Sequence, residues 1–136
     1  MPRTPIPADL AEALRKPNQC VVATIRPDGE LSTAATWYEY DADGRILLNM
    51  DASRARMTHL RNDPRVALTI FAGDDWYSHV SVSGKVVEFR HDEDLADIDR
   101  ISTHYTGSAY GDRERDSWTA VVEVERWHAW GALAAK

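Results

Sequence analysis

Apolar and polar positions along this chain fall into blocks whose period switches between that of a strand and that of a helix. Ala8 to Arg15 puts Leu10, Ala11 and Leu14 on one helical face before Pro17 ends the run, which predicts a short covering helix behind a stiff Pro5-Ile6-Pro7 entry. Cys20 to Arg26 is dense in β-branched residues and stops at the turn Pro27-Asp28-Gly29, so Leu31 to Tyr40 reads as the return strand of a hairpin. Asp41 to Gly44 then turns the chain into a third strand, Arg45 to Met50. A helix is expected over Ser53 to Asn62, with Ser53 as its N-cap and Asp63-Pro64 as its break. Arg65 to Phe71 is the fourth strand and Trp76 to Phe89 the fifth, with Gly84 predicted as a bulge that shifts the register. Leu95, Ile98, Ile101 and Tyr105 make one apolar stripe on a helix within His91 to Tyr105, whose acids are expected on a solvated face. Gly107 to Gly111 leads to a final strand, Ser117 to Trp127, and a tail at Trp130.

Hairpin-length links among the first strands do not suit a doubly wound parallel sheet, where strand and helix alternate. The expected fold is mostly β with peripheral helices: a small antiparallel barrel, one domain over residues 1–136. With 43% hydrophobic and 28% charged residues the chain has the composition of an ordinary globular protein, and no stretch approaches the length of a membrane span. The only cysteine, Cys20, allows no intramolecular disulfide, and the N-terminus carries no apolar leader, so the cytoplasm is the expected location.

A net charge of −6 argues against a nucleic-acid partner, because affinity for a phosphate backbone comes from summed Lys and Arg contacts. Arg54, Arg56, Arg61 and Arg65 nevertheless fall close together, and such a basic spot on an acidic protein suits a small anion better than a polymer. Arginines in a first helical turn oppose the helix dipole by about 0.3–1 kcal/mol each, so negative charge is expected to arrive from elsewhere. A phosphate would supply it through free backbone N–H groups and forked guanidinium bonds. The same spacing is compatible with arginines that are solvated or paired with Asp51 and Asp63. Ser32 to Thr36 places no bulky side chain on either face of its strand, which leaves room for a flat ring against the backbone or for close packing on a neighbour.

No glycine-rich nucleotide fingerprint and no Gly-x-Ser-x-Gly elbow occurs. The five histidines have no helical zinc spacing, so no metal is expected, and Asp92-Glu93-Asp94 do not read as a tuned acid/base pair. The five tryptophans read first as core and interface mass, although Trp76 and Tyr77 are placed where a ring could close over a bound heterocycle.

Taken together, VATIRPDGE, GRILLNMDASRARMTHLRNDPRVAL, VSVSGKVVE, the helix through Ile98 to Tyr105 with Gly107 after it, and the final VVEVERWHAWG resemble the split β-barrel superfamily of flavin and deazaflavin oxidoreductases related to the pyridoxamine 5′-phosphate oxidases. The closer likeness is to the branch that uses coenzyme F-420. The resemblance implies that Ser53, Arg54 and Arg56 hold the cofactor phosphate, that Thr33, Ala34, Ala35 and Thr36 lie along its ring system, and that Leu48 and Asn49 come from the strand leading into the phosphate loop. It further implies a homodimer with each cofactor in a groove between subunits, and hydride transfer between the reduced deazaflavin and a small unsaturated or carbonyl-like substrate. Barrels of this type also use FMN, and some bind haem or flavin without catalysis. Arg56 stands where Lys is common, and Ala55 stands where the FMN-using oxidases carry a Lys, which weakens the case for FMN. The substrate-binding arginine motifs of the true pyridoxamine phosphate oxidases are not visible. If a side chain supplies the proton that accompanies the hydride, Tyr77, His79 and Tyr110 are the candidates.

Overall fold

The computed structural model describes residues 5–134. The chain runs α1 (Ala8–Leu14), β1 (Gln19–Ile25), β2 (Leu31–Thr36), β3 (Glu39–Tyr40), β4 (Ile46–Asp51), α2 (Ala55–Asn62), β5 (Arg65–Phe71), β6 (Val80–His91), α3 (Ala96–Thr106), β7 (Ser117–Ala129) and a closing 3-10 turn, Gly131–Leu133. The strands form one seven-stranded sheet in the order β2-β1-β5-β6-β7-β4-β3, and every pairing is antiparallel.

β2 and β3 are the two edges of this sheet, yet only Trp37 and Tyr38 separate them in sequence. In a flat sheet those edges would stand about 29 Å apart, six inter-strand gaps of about 4.8 Å, and so short a link spans only about a third of that. The sheet must therefore roll until its edges adjoin, as a barrel split between β2 and β3. Tyr38 pins the crossing: it is fully buried, donates its hydroxyl to the Leu14 carbonyl at 2.5 Å and accepts from Asn18 Nδ2 at 2.8 Å. The continuous strand expected over Leu31 to Tyr40 is thus two strands on opposite edges.

Inside the roll, alternate residues of β1, β5 and β6 meet β4 and β7 in a single apolar core that includes Val22, Leu48, Ile70, Val80 and Val122. α1 covers it with Leu10, Ala11 and Leu14, as its periodicity predicts. α2 packs Met57 and Leu60 inward and is tied to β1 by the buried Thr24 Oγ1···His59 Nδ1 bond of 2.9 Å. The bulge expected at Gly84 is present, with a register shift between Ser83 and Gly84. A Cβ there would lie 2.1 Å from the Glu123 carbonyl oxygen, so β7 can approach this closely only because Gly84 has no side chain.

Three local expectations are corrected. Ser53 is not the N-cap of α2: its hydroxyl and backbone N–H both donate to Asp51 Oδ1 at 2.9 Å, and this local turn delays the helix to Ala55, leaving Arg54 at the boundary. β6 begins at Val80, not Trp76, because the Asp75 carboxylate accepts the Tyr77 and Ser78 N–H groups in a turn of its own. Asp92 and Asp97 are buried instead of solvated. Asp92 accepts the N–H groups of Asp97 and Ile98 at 2.8 and 3.0 Å, satisfying the first turn of α3 in place of a side-chain cap at Leu95, which sits in the left-handed region at φ 61°.

Candidate functional site

A cavity of about 720 Å³ lies where β1, β2 and Trp37 meet the start of α2, the inner side of α3 and the loop that follows α3. Its charge is positive. Arg54, Arg56 and Arg115 line it, and none of the three forms an ion pair among the described residues. The Asp51 carboxylate is engaged by Ser53, and the Asp63 carboxylate by Arg65, so neither acid neutralises Arg54 or Arg56. Arg56 donates from Nη2 to Thr36 Oγ1 at 3.4 Å while its buried Nε has no partner among the described residues. Burial, and to a lesser degree repulsion by Arg54, push the Arg56 pKa down.

The wall beside β2 is small and flat: Ala34, Ala35 and Thr36 line the cavity on an edge strand, where alternate backbone N–H and C=O groups have no sheet neighbour. Cys20 lies on the paired strand, and burial lifts its thiol to about 12, with Arg56 acting in the opposite direction. The facing wall is aromatic. Trp37 stacks on Tyr105 with centroids 5.2 Å apart at 13°, and Tyr110 meets Trp37 edge-on at 6.2 Å. Burial raises the Tyr105 phenol to about 12, and its hydroxyl donates to the Asn18 carbonyl at 2.7 Å.

Of the residues singled out in the sequence, Ala34, Ala35, Thr36, Asn49, Arg54 and Arg56 line this one cavity. Thr33, Leu48 and Ser53 lie outside its lining. Thr33 is exposed on β2, Leu48 points into the core, and Ser53 is turned onto Asp51. Among the proton-donor candidates, Tyr110 lines the cavity, whereas Tyr77 and His79 belong to a separate aromatic cluster with Trp130. Trp76 is 79% exposed and also lies outside the lining. Arg115 is a cavity residue that sequence reasoning missed. It sits in the charged run Asp112 to Asp116, which looks like any solvated loop, and no local pattern separates it from Arg113, which pairs outward with Asp99.

The family model for pyridoxamine 5′-phosphate oxidase matches residues 6–131. The chain belongs to that family. No curated protein matches it in sequence. Among solved structures, an F420 reductase superposes with a TM-score of 0.81 at 22% identity, covering 90% of this chain and 98% of its own. A conserved hypothetical protein from Mycobacterium tuberculosis gives a TM-score of 0.68 at 26% identity, covering 94% and 86%. A pyridoxamine 5′-phosphate oxidase-related, FMN-binding protein from Nostoc punctiforme gives 0.62 at 12% identity, covering 89% and 81%. The two likenesses below 25% identity establish the fold: this family member is a split barrel.

Proposed function

We propose that this family member is an oxidoreductase that binds a deazaflavin, coenzyme F-420, in the cavity at the barrel split and uses it to reduce a small unsaturated or carbonyl-like molecule. The observation that carries the reading is the pair Arg54 and Arg56, which face one cavity with no carboxylate partner among the described residues, none of which satisfies the buried Arg56 Nε either. A phosphate supplies what that pair lacks, by forked, charge-assisted hydrogen bonds near the free N–H groups at the start of α2. The residues present fit such a cofactor: two guanidinium groups with no ion pair among the described residues for its phosphate, a side-chain-poor edge strand for its rings, and an aromatic wall opposite. When bound, a reduced deazaflavin supplies the hydride.

The chain's own part is to bind, orient and keep water out. Arg54 and Arg56 anchor the phosphate. Ala34, Ala35 and Thr36 let the ring system approach the backbone of β2. Ile98 and Ile101 close the α3 side with apolar surface. Tyr110 is the cavity residue placed to hand over a proton, with solvent as the alternative source. The same reading includes a homodimer, since β2 presents an exposed edge, with Leu31 76% exposed, on which a second subunit would complete the groove.

Absorption spectra of the purified protein, before and after adding F-420 or FMN, test the assignment. The expected result is colourless protein that takes up the deazaflavin. Yellow protein that retains FMN would assign the cavity to FMN, the cofactor named for the Nostoc protein. Arg54→Ala should weaken F-420 binding by about 1.5–3 kcal/mol, the loss of a charged hydrogen bond, and an unchanged affinity would place the phosphate elsewhere.

A further inference from the structure

We propose that Arg115 is a second anion-reading group of the cavity, built to hold the carboxylate of a flat, conjugated organic acid. Taking that acid to be the molecule reduced rests on the cofactor reading above; the carboxylate site itself does not.

Arg115 is fixed more firmly than a loop arginine needs to be. Its Nη2 donates to Asn49 Oδ1 at 2.9 Å, the Asn49 amide donates to Ser117 Oγ at 2.9 Å, and that hydroxyl donates to Asp92 Oδ2 at 2.8 Å. Asp92 in turn holds the first turn of α3. The guanidinium therefore hangs from a buried polar relay that joins β4, β7 and α3. Its carbon lies 4.7 Å from the centroid of the Tyr110 ring, so one face of the cation is covered as well.

Both carboxylates next to it in sequence are left unused by it. Asp116 accepts from His91 and Trp118 at 3.1 Å, and neither Glu114 nor Asp116 pairs with Arg115. Arg115 Nε is buried without a partner, and Nη1 has none among the described residues. A guanidinium held in one orientation with donors to spare is the geometry that receives a carboxylate, the fork matching its two oxygens. The neighbouring cavity surface supplies the rest of the ligand's description. Tyr110, under Arg115, meets Trp37 edge-on, and Trp37 is stacked on Tyr105, so the wall that continues from the cation suits a planar π-system.

Calorimetric titration of the purified full chain with cinnamate and with its neutral isostere cinnamamide reads this site directly. The expected result is that wild-type protein binds cinnamate at least about tenfold more tightly than the amide, the scale of one charged hydrogen bond. Arg115→Gln should erase that preference, and Arg115→Lys should retain part of it because charge remains without the fork. Equal affinities for acid and amide in the wild type overturn the proposal. So does an Arg115→Gln protein with unchanged cinnamate affinity, or one that loses affinity for F-420 alone, which would give the carboxylate to the cofactor. Should Arg115→Gln fail to fold, the wild-type preference and the Arg115→Lys protein still decide. Failure of F-420 to bind, with the cinnamate preference intact, removes the cofactor reading and leaves the carboxylate site standing.

Discussion

Arg56 extends its guanidinium to within 3.4 Å of Thr36 Oγ1, joining the start of α2 to the last residue of β2 across the mouth of the cavity. This contact satisfies one donor and leaves Nε buried and unpaired, beside the like charge of Arg54. A cation in that position costs stability until an anion arrives. Arg56→Met, which keeps the aliphatic stem, should raise the unliganded protein's stability by about 0.5–2 kcal/mol and remove the stabilisation conferred by F-420. Thermal midpoints with and without cofactor check both halves. A lower unliganded midpoint would show that Arg56 supports the fold instead of the ligand.

Cys20 offers a chemical probe of the same wall. Burial raises its thiol to about 12, the nearby Arg56 only partly opposing this, so almost no thiolate is present near neutrality. Alkylation by iodoacetamide at pH 8 should be slower than in the unfolded chain by on the order of a hundredfold, since the thiolate is the reacting form. Because Cys20 lines the cavity, bound cofactor should slow it further. Labelling rates as fast in the native protein as in urea would contradict the burial.

Asp97 ties α3 to the barrel. Burial by itself would raise its pKa, but hydrogen bonds from Thr119, Arg100 and Arg90, with the Arg90 charge, outweigh burial and hold the carboxyl below the usual range. A carboxyl whose pKa is lower folded than unfolded favours the folded state above the unfolded value, about 4, and that contribution disappears as pH falls through the folded value. Denaturant titrations at pH 7, 4 and 3 should show stability falling toward acid, and Asp97→Asn should flatten this part of the profile. An acid limb of the same steepness in Asp97→Asn would remove Asp97 from the account.

At Gly84 the obstacle to any side chain is backbone, with the Glu123 carbonyl oxygen 2.1 Å from the position of a Cβ. Gly84→Ala must push β6 from β7 at the bulge and should cost about 1–3 kcal/mol. A urea midpoint matching that of the wild type would mean that the two strands separate freely there.

Much of this was legible in the chain. α1, β5 and the bulge at Gly84 follow from periodicity and one glycine, because these elements are set by side-chain alternation and local backbone freedom. Arg54 and Arg56 stood out for a local reason too, as cations where a helix favours anions. Three of the misjudged elements turn on an acid capturing nearby backbone: Asp51 displaces the start of α2, Asp75 delays β6, and Asp92 is drawn inward to hold α3. A polar residue that makes such turns looks the same in sequence as one that is simply solvated.

What the sequence determined by itself is most of the strands, the hairpins between neighbouring ones, and a basic start to α2, all of which depend on neighbours within a few residues. Only the tertiary structure decided that Leu31 to Tyr40 divides at Trp37 and Tyr38, because the break exists to carry the chain between two sheet edges that folding alone brings together. It also chose Arg115 over Arg113. Both belong to one charged run, and which of them meets Asp99 and which turns onto Asn49 depends on where α3 and β4 come to lie, a distance of many residues that no local pattern encodes.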